Sequence, residues 1–277
     1  MSRRFTALAA SASATAALAL AGGAGAAGSM PVIHVALKSD KSITLSGTPT
    51  SGAVTFTATF SGKLPKGSTG AAFGIIRLDP GATLQQAGGA VQSHHGDLNA
   101  LDPYGAIVAD GDAPGTIQTV LTPGNYVALN FTGQQGIPPF TAFTVGKSSS
   151  PASLPKPAAT EASIEFGFRG PSVLHDGTIV RAVNQGYLVH MDSLAGVTSK
   201  AAGRKAMALL KAGKDNKAFA YTNGVFFDLM GPASSGAMQQ EVLHLKPGYY
   251  IEVCFMDTQD GREHTQLGME RLIKVVK

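Results

Sequence analysis

The chain has 277 residues, of which only 14% are charged, with 34 Gly, 15 Pro and no Trp. That balance excludes a coiled coil or a charged helical bundle and belongs to a chain of many turns and short strands. The formal charge of +4 includes Arg3 and Arg4; without them 20 basic residues face 18 acidic ones, or +2, and no basic stripe with neighbouring aromatics marks a nucleic-acid surface.

In chain order, residues 1–26 read as a signal peptide. Met1-Ser2-Arg3-Arg4 is a basic start, residues 5–21 are an Ala- and Leu-rich apolar run, and Ala24-Gly25-Ala26 offers small residues for cleavage. The Ala, Ser and Thr content makes the run weakly hydrophobic for a retained anchor. No later stretch approaches the ~18 apolar residues of a membrane span. The expectation is an exported protein, periplasmic, cell-surface or extracellular, with no membrane span once mature; the Arg pair also fits the twin-arginine route.

Residues 30–147 carry runs of period two at 54–60, 73–78 and 126–131, separated by Gly, Pro, Ser and Asp clusters. Residues 148–160 are a Ser/Pro/Ala linker, expected to be extended and poorly packed. Residues 161–277 alternate again at 164–168, 178–184, 187–191, 241–245, 249–256 and 272–276. Ser199 is placed as the N-cap of a helix running through Ala206, Met207, Leu209 and Leu210 to Gly213. Both segments read as all-β Greek-key β-sandwiches in tandem. They also resemble each other. Residues 121–131 (LTPGNYVALNF) mirror 245–255 (LKPGYYIEVCF), each a Pro-Gly turn opening an alternating strand with an early Tyr. In that alignment Cys254 falls opposite Asn130, so a duplicated domain is expected whose first copy lacks the chemistry of Cys254.

Cys254 is the only cysteine and has no partner for an internal disulfide. Read alone, it is a core residue, an intermolecular link or a ligand. Its surroundings are more specific. Leu245-x-Pro247-Gly248-x-Tyr250-x-x-x-Cys254 is followed by His264 and, five residues on, by Met269, with Asn184-x-Gly186-x-x-x-His190 upstream. This pattern resembles the ligand strands and loop of the cupredoxins, the blue copper proteins, across the whole second segment; the first segment shares only the scaffold. The resemblance implies tandem sandwiches of cupredoxin type and one type 1-like copper ion held by His190, Cys254, His264 and Met269. It also implies electron transfer with a redox partner protein. The residue types suit that chemistry: a thiolate and two imidazoles form a trigonal copper site, and a thioether binds weakly on its axis.

Two features depart from the simplest members. Nine residues lie between Cys254 and His264, where plastocyanin-like loops have two. Glu252 shares a strand face with Tyr250 and Cys254, so its carboxylate is expected either to emerge at the rim or to harden the site towards zinc. Copper storage or delivery would use the same residues, and a metal-free cupredoxin-like binding or structural module is the alternative. His94, His95 and Asp97 read as a solvated loop, and Asp110-Gly111-Asp112 lacks the remaining ligands of a calcium loop. No hydrolase or nucleotide-binding motif occurs. None of the seven histidines forms the His-x-His pairs of a multicopper oxidase or nitrite reductase, so no enzyme is expected.

Overall fold

A computed structural model describes residues 29–66, 68, 70–133 and 138–277; the signal peptide assigned to residues 1–26 lies outside them. The first half supplies strands β1 (Val32–Lys38), β2 (Ile43–Ser46), β3 (Gly52–Ser61), β4 (Ala71–Leu78), β5 (Gly105–Ala113), β6 (Gly115–Leu121), β7 (Gly124–Asn130) and β8 (Phe140–Val145). The second supplies β9 (Ala159–Ile164), β10 (Gly167–Arg169), β11 (Val173–His175), β12 (Ile179–Asn184), β13 (His190–Val197), β14 (Thr222–Ala233), β15 (Met238–Val242), β16 (Gly248–Val253) and β17 (Glu270–Val276).

Each half is a two-sheet sandwich, and the pairing order repeats. Sheet β5-β4-β7-β8 in the first half corresponds to β14-β13-β16-β17 in the second, where β11 adds to the edge. The other sheet is shared. It runs β10-β9-β12-β15-β6-β3-β1-β2, so the order of one half is the reverse of the other and the halves join at the β15–β6 pair. The duplication read from residues 121–131 and 245–255 is thus visible as β7 and β16. In both, the early Tyr turns back on its own turn: Tyr126 Oη donates to the Thr122 carbonyl and Tyr250 Oη to the Lys246 carbonyl, each at 2.8 Å. A buried tyrosine needs such an acceptor for its hydroxyl, and this one fixes the corner from which the strand departs.

Alternation decides what each strand buries. In the first sandwich Phe56, Phe73, Ile75, Ile33 and Tyr126 form the core. In β16, Tyr250 enters the core between the sheets, whereas Ile251 and Val253 face outward under helix α2 (Lys200–Lys211, numbered here after the first helix, α1, Leu84–Ser93). Helix α2 starts where the sequence places it, with Ser199 Oγ accepting from the Ala202 N–H at 3.1 Å. Helix α1 is not anticipated, because Gly88 and Gly89 stand inside it and the sequence reading places no element there. Thr83 and Gln86 cap it reciprocally, and that capping box holds a helix through Gly88 and Gly89.

Three other expectations change. The segment 148–160 is extended but packed. The Ala152 carbonyl accepts from Ala53 N–H at 2.9 Å, and the Pro155 carbonyl accepts from Arg181 Nη2 at 3.1 Å and Gln240 Nε2 at 3.2 Å. Extended backbone leaves its carbonyls free, and the seam between the sandwiches supplies donors. The run 164–168 is not one strand: it turns at Glu165 and Phe166, and Phe166 sits at φ +56°. The run 187–191 begins as loop, with Tyr187 90% exposed, and becomes strand only at His190.

The sandwiches also meet between β5 and β14, where a Cβ on Gly231 would lie 2.2 Å from Asp110 Oδ1. Helix α1 and the following 3-10 turn (Leu98–Tyr104) pack with Val189 and Met256, the neighbours of the ligand candidates. The first sandwich thereby covers the end of the second at which His190 and Cys254 lie. Among the described residues no helix is long and apolar enough to cross a membrane.

Candidate metal centre

His190 opens β13 and Cys254 follows β16 directly, so two adjacent antiparallel strands carry them to one end of the second sandwich. The loop ahead of His190 is held by Asn184, which is fully buried. Its Nδ2 donates to the carbonyls of Leu188 (2.7 Å) and Ala233 (2.8 Å), and its Oδ1 accepts from Gly186 N–H at 2.9 Å. From the first sandwich, Asn99 Oδ1 accepts from Val189 N–H at 2.7 Å.

The long insertion after Cys254 folds back on itself. Asp257 bridges Glu263, a turn closes between Thr258 and Arg262, and His264 N–H donates to the Met256 carbonyl at 2.8 Å. Despite nine intervening residues, His264 returns to within two residues of Cys254 in space. A 3-10 turn (His264–Leu267) and Gly268 at φ +100° then bring Met269 back: its N–H donates to the His264 carbonyl at 3.0 Å, and its carbonyl accepts from Cys254 N–H at 3.3 Å.

Three side chains converge. His190 Nδ1 lies 3.1 Å from His264 Nδ1, Cys254 Sγ lies 3.3 Å from His264 Nδ1 and 3.9 Å from His190 Nδ1, and all three residues are fully buried. Among the described residues this is the one group of three or more His, Cys, Asp or Glu side chains able to share an ion. A point equidistant from three atoms so spaced lies about 2 Å from each, the length of a metal–imidazole bond and slightly under that of a metal–thiolate bond. Two imidazoles and a sulfur are the donors of copper and zinc rather than of calcium or magnesium. Met269 is fully buried at the same corner. The exposed His94 and His95 lie outside the group, as the solvated-loop reading expects.

Burial sets the protonation of the bare site. It lowers the pKa of His190 to about 4, helped by the proximity of His264 and opposed by Glu165, and lowers that of His264 to about 4. It pushes the Cys254 thiol up to about 12, although Met191 N–H donates to the sulfur at 3.4 Å. At neutral pH the site therefore presents two neutral imidazoles and a thiol.

Glu252 neither reaches the rim nor joins the cluster. Alternation does turn it inward, but it is fully buried and ion-paired with Arg271, its register partner on β17, which also pairs with buried Glu161 of β9. Buried Asp192 of β13 completes an ionic layer between the apolar core and the metal cluster. The layer is regular in sequence: Asp192, Glu252 and Arg271 each stand two residues inward from His190, Cys254 and Met269, about 6.6 Å along a strand. Burial raises the pKa of all three carboxyls, that of Glu161 to about 8, and the Arg271 guanidinium opposes the rise in each.

Sequence reasoning missed the turn at Glu165 and Phe166. The Phe166 ring meets the His264 ring edge-on with centroids 5.3 Å apart, and Glu165 Oε1 lies 3.9 Å from His190 Nε2. A bulky residue at positive φ marks a constrained turn, but that conformation is invisible in an alternating run.

No family model matches the sequence, and no curated protein does. Among solved structures the chain is similar to a reduced auracyanin from the photosynthetic bacterium Roseiflexus castenholzii, at 14% identity over 43% of this chain and 95% of that one, with a TM-score of 0.27. It is also similar to auracyanin B, at 16% identity over 45% of this chain and 93% of that one, TM-score 0.25. A third is a Cu-containing nitrite reductase from Thermus scotoductus, at 10% identity over 89% of this chain and 68% of that one, TM-score 0.26. TM-scores of this size add no weight to the site's own geometry. The architecture expected from the sequence holds: two β-sandwiches in tandem, with a His–Cys–His cluster at one end of the second.

Proposed function

We propose that this is an exported copper protein whose second sandwich holds one ion in a type 1-like site, and that it carries electrons rather than catalysing a reaction. The observation that carries the reading is the convergence of His190 Nδ1, His264 Nδ1 and Cys254 Sγ at ligand spacing in a fully buried pocket. His190, Cys254 and His264 would hold the ion, and the buried Met269 thioether would be a further, weaker donor. Copper so bound supplies a one-electron couple. The chain's own part is to keep the ligands still and dry. Asn184 and Asn99 fix the loop before His190, the hairpin at Asp257 and Glu263 fixes His264, and the first sandwich shuts out water from one side. A rigid cage that changes little between oxidation states keeps the reorganisation accompanying electron transfer small.

The first sandwich repeats the scaffold but offers no thiol, since Cys254 is the only cysteine. At the place of Cys254 it has Asn130, whose Nδ2 donates to the carbonyls of Lys41 and Ser42 and whose Oδ1 accepts from Thr132 N–H. Export rests on the basic, apolar and small-residue order of residues 1–26. The test is competition dialysis of the protein against Cu(II) and Zn(II), followed by elemental analysis and voltammetry. One copper per chain and a reversible one-electron wave are expected, and both should vanish in His190→Ala. Zinc outcompeting copper would refute the copper reading, and retention of neither metal would favour the metal-free module.

A further inference from the structure

Two buried imidazoles that face each other through the same ring position need a rule for their protons. His190 Nδ1 and His264 Nδ1 are 3.1 Å apart in a fully buried pocket. A contact of that length takes one donor and one acceptor. One ring must carry its proton on Nδ1 and the other on Nε2, and the pair alone does not determine which.

Glu165 breaks the symmetry. Its Oε1 lies 3.9 Å from His190 Nε2, too far for a hydrogen bond but close enough for a charge to favour N–H over a lone pair at that position. The carboxylate does not swing freely, because the same oxygen accepts from Tyr187 N–H and, at 3.4 Å, from Leu188 N–H. Gly186 leaves the contact open: a Cβ there would stand 2.5 Å from Glu165 Oε1 and 2.7 Å from His190 Nε2. His264 Nε2, like His190 Nε2, is buried without a hydrogen-bond partner; Glu165 and Asp97 act on that ring only from a greater distance, and it meets the edge of Phe166, so His190 is the ring with a carboxylate oxygen within 4 Å.

We propose that Glu165 is a positioning residue of the metal centre, fixing His190 as the Nε2–H tautomer so that its Nδ1 lone pair points at Cys254 and His264. In the metal-free protein His264 Nδ1–H then donates to His190 Nδ1, and His190 is the ligand already in its binding form. Resting on the copper reading above, the same charge stabilises Cu(II) over Cu(I) through the imidazole, as a carboxylate behind a metal-bound histidine does.

The first test needs no metal. Long-range 1H–15N correlation spectra of the metal-free protein report the tautomer of each histidine. Wild type should show His190 in the Nε2–H form. Glu165→Gln keeps an acceptor for Tyr187 and Leu188 but loses the charge, and should reduce the tautomer preference at least tenfold, so that both forms are seen. Gly186→Ala should do the same with the carboxylate still present, by wedging the two groups apart. An Nδ1–H form of His190 in wild type, or an unchanged Nε2–H form in both variants, would overturn the assignment. The second test is the midpoint potential of the copper-loaded protein. Glu165→Gln should lower the Cu(II)-to-Cu(I) affinity ratio about tenfold, a rise of about 59 mV. An unchanged potential would overturn the charge effect. Failure of the wild type to bind copper would overturn the proposed function and the charge effect with it, while the tautomer spectra would still decide the positioning role.

Discussion

Loading copper should release one proton per ion, and that proton comes from Cys254. Burial holds the thiol near a pKa of about 12, so at pH 7 the bare protein carries S–H. The ligand is the thiolate, and removing the proton costs about 7 kcal/mol at pH 7, at about 1.4 kcal/mol per unit. The metal–sulfur bond has to supply that before any net affinity appears. The imidazoles contribute no protons, because burial keeps both neutral down to about pH 4. The sign follows: the bound form lacks a proton that the free form holds, so apparent affinity rises with pH. The slope should be tenfold per unit from about pH 6 to about pH 8 and steepen below about pH 4, where the two histidines also compete for protons. Calorimetric titration of Cu(II) in buffers of different ionisation enthalpy counts the protons directly. Release of none would mean that the sulfur is unbound or already ionised. Release of two or three at pH 7 would mean that the histidines are charged, and either count would refute the protonation scheme.

Arg271→Met should lower stability by about 3 kcal/mol or more, because it leaves the buried Glu161 and Glu252 without their cation; thermal melts of the metal-free protein measure it. Asn99→Ala should quicken copper loss to an added chelator about fivefold, since about 1 kcal/mol of hydrogen bond holds the first sandwich to Val189; stopped-flow absorbance follows the loss. Met269→Leu should leave the protein coloured and raise its potential, because removing a thioether donor disfavours Cu(II); spectroelectrochemistry reads both.

The order of the candidate ligands was legible because His190, Cys254 and Met269 each sit on or beside a strand whose periodicity is local. Pro247, Gly248 and Tyr250 announce β16 and its corner, and the same signs in residues 121–131 announce β7, so the repeated architecture was legible as well. What stayed hidden depends on contacts between distant segments. The gap between Cys254 and His264 looked long because a sequence does not show that Asp257 pairs with Glu263 and removes the excess. Alternation correctly turned Glu252 inward, but its partner Arg271 lies on another strand, and with it the role of the carboxylate. The turn at Glu165 and Phe166 runs against local preference, since the residues around it alternate like a strand. Helix α1 had its signal in Thr83 and Gln86, which two glycines outweighed. The packing of residues 148–160 depends on donors from both sandwiches, which composition does not reveal.

The most direct measurement is the visible spectrum of the protein with one equivalent of Cu(II), recorded beside that of Cys254→Ser. Thiolate-to-copper charge transfer needs sulfur, and Ser keeps nearly the same shape. An intense visible band in the wild type that disappears in Cys254→Ser, with both proteins folded, is the predicted result. A wild type that binds copper without the band, or a variant that keeps it, would contradict a copper centre built on His190, Cys254 and His264.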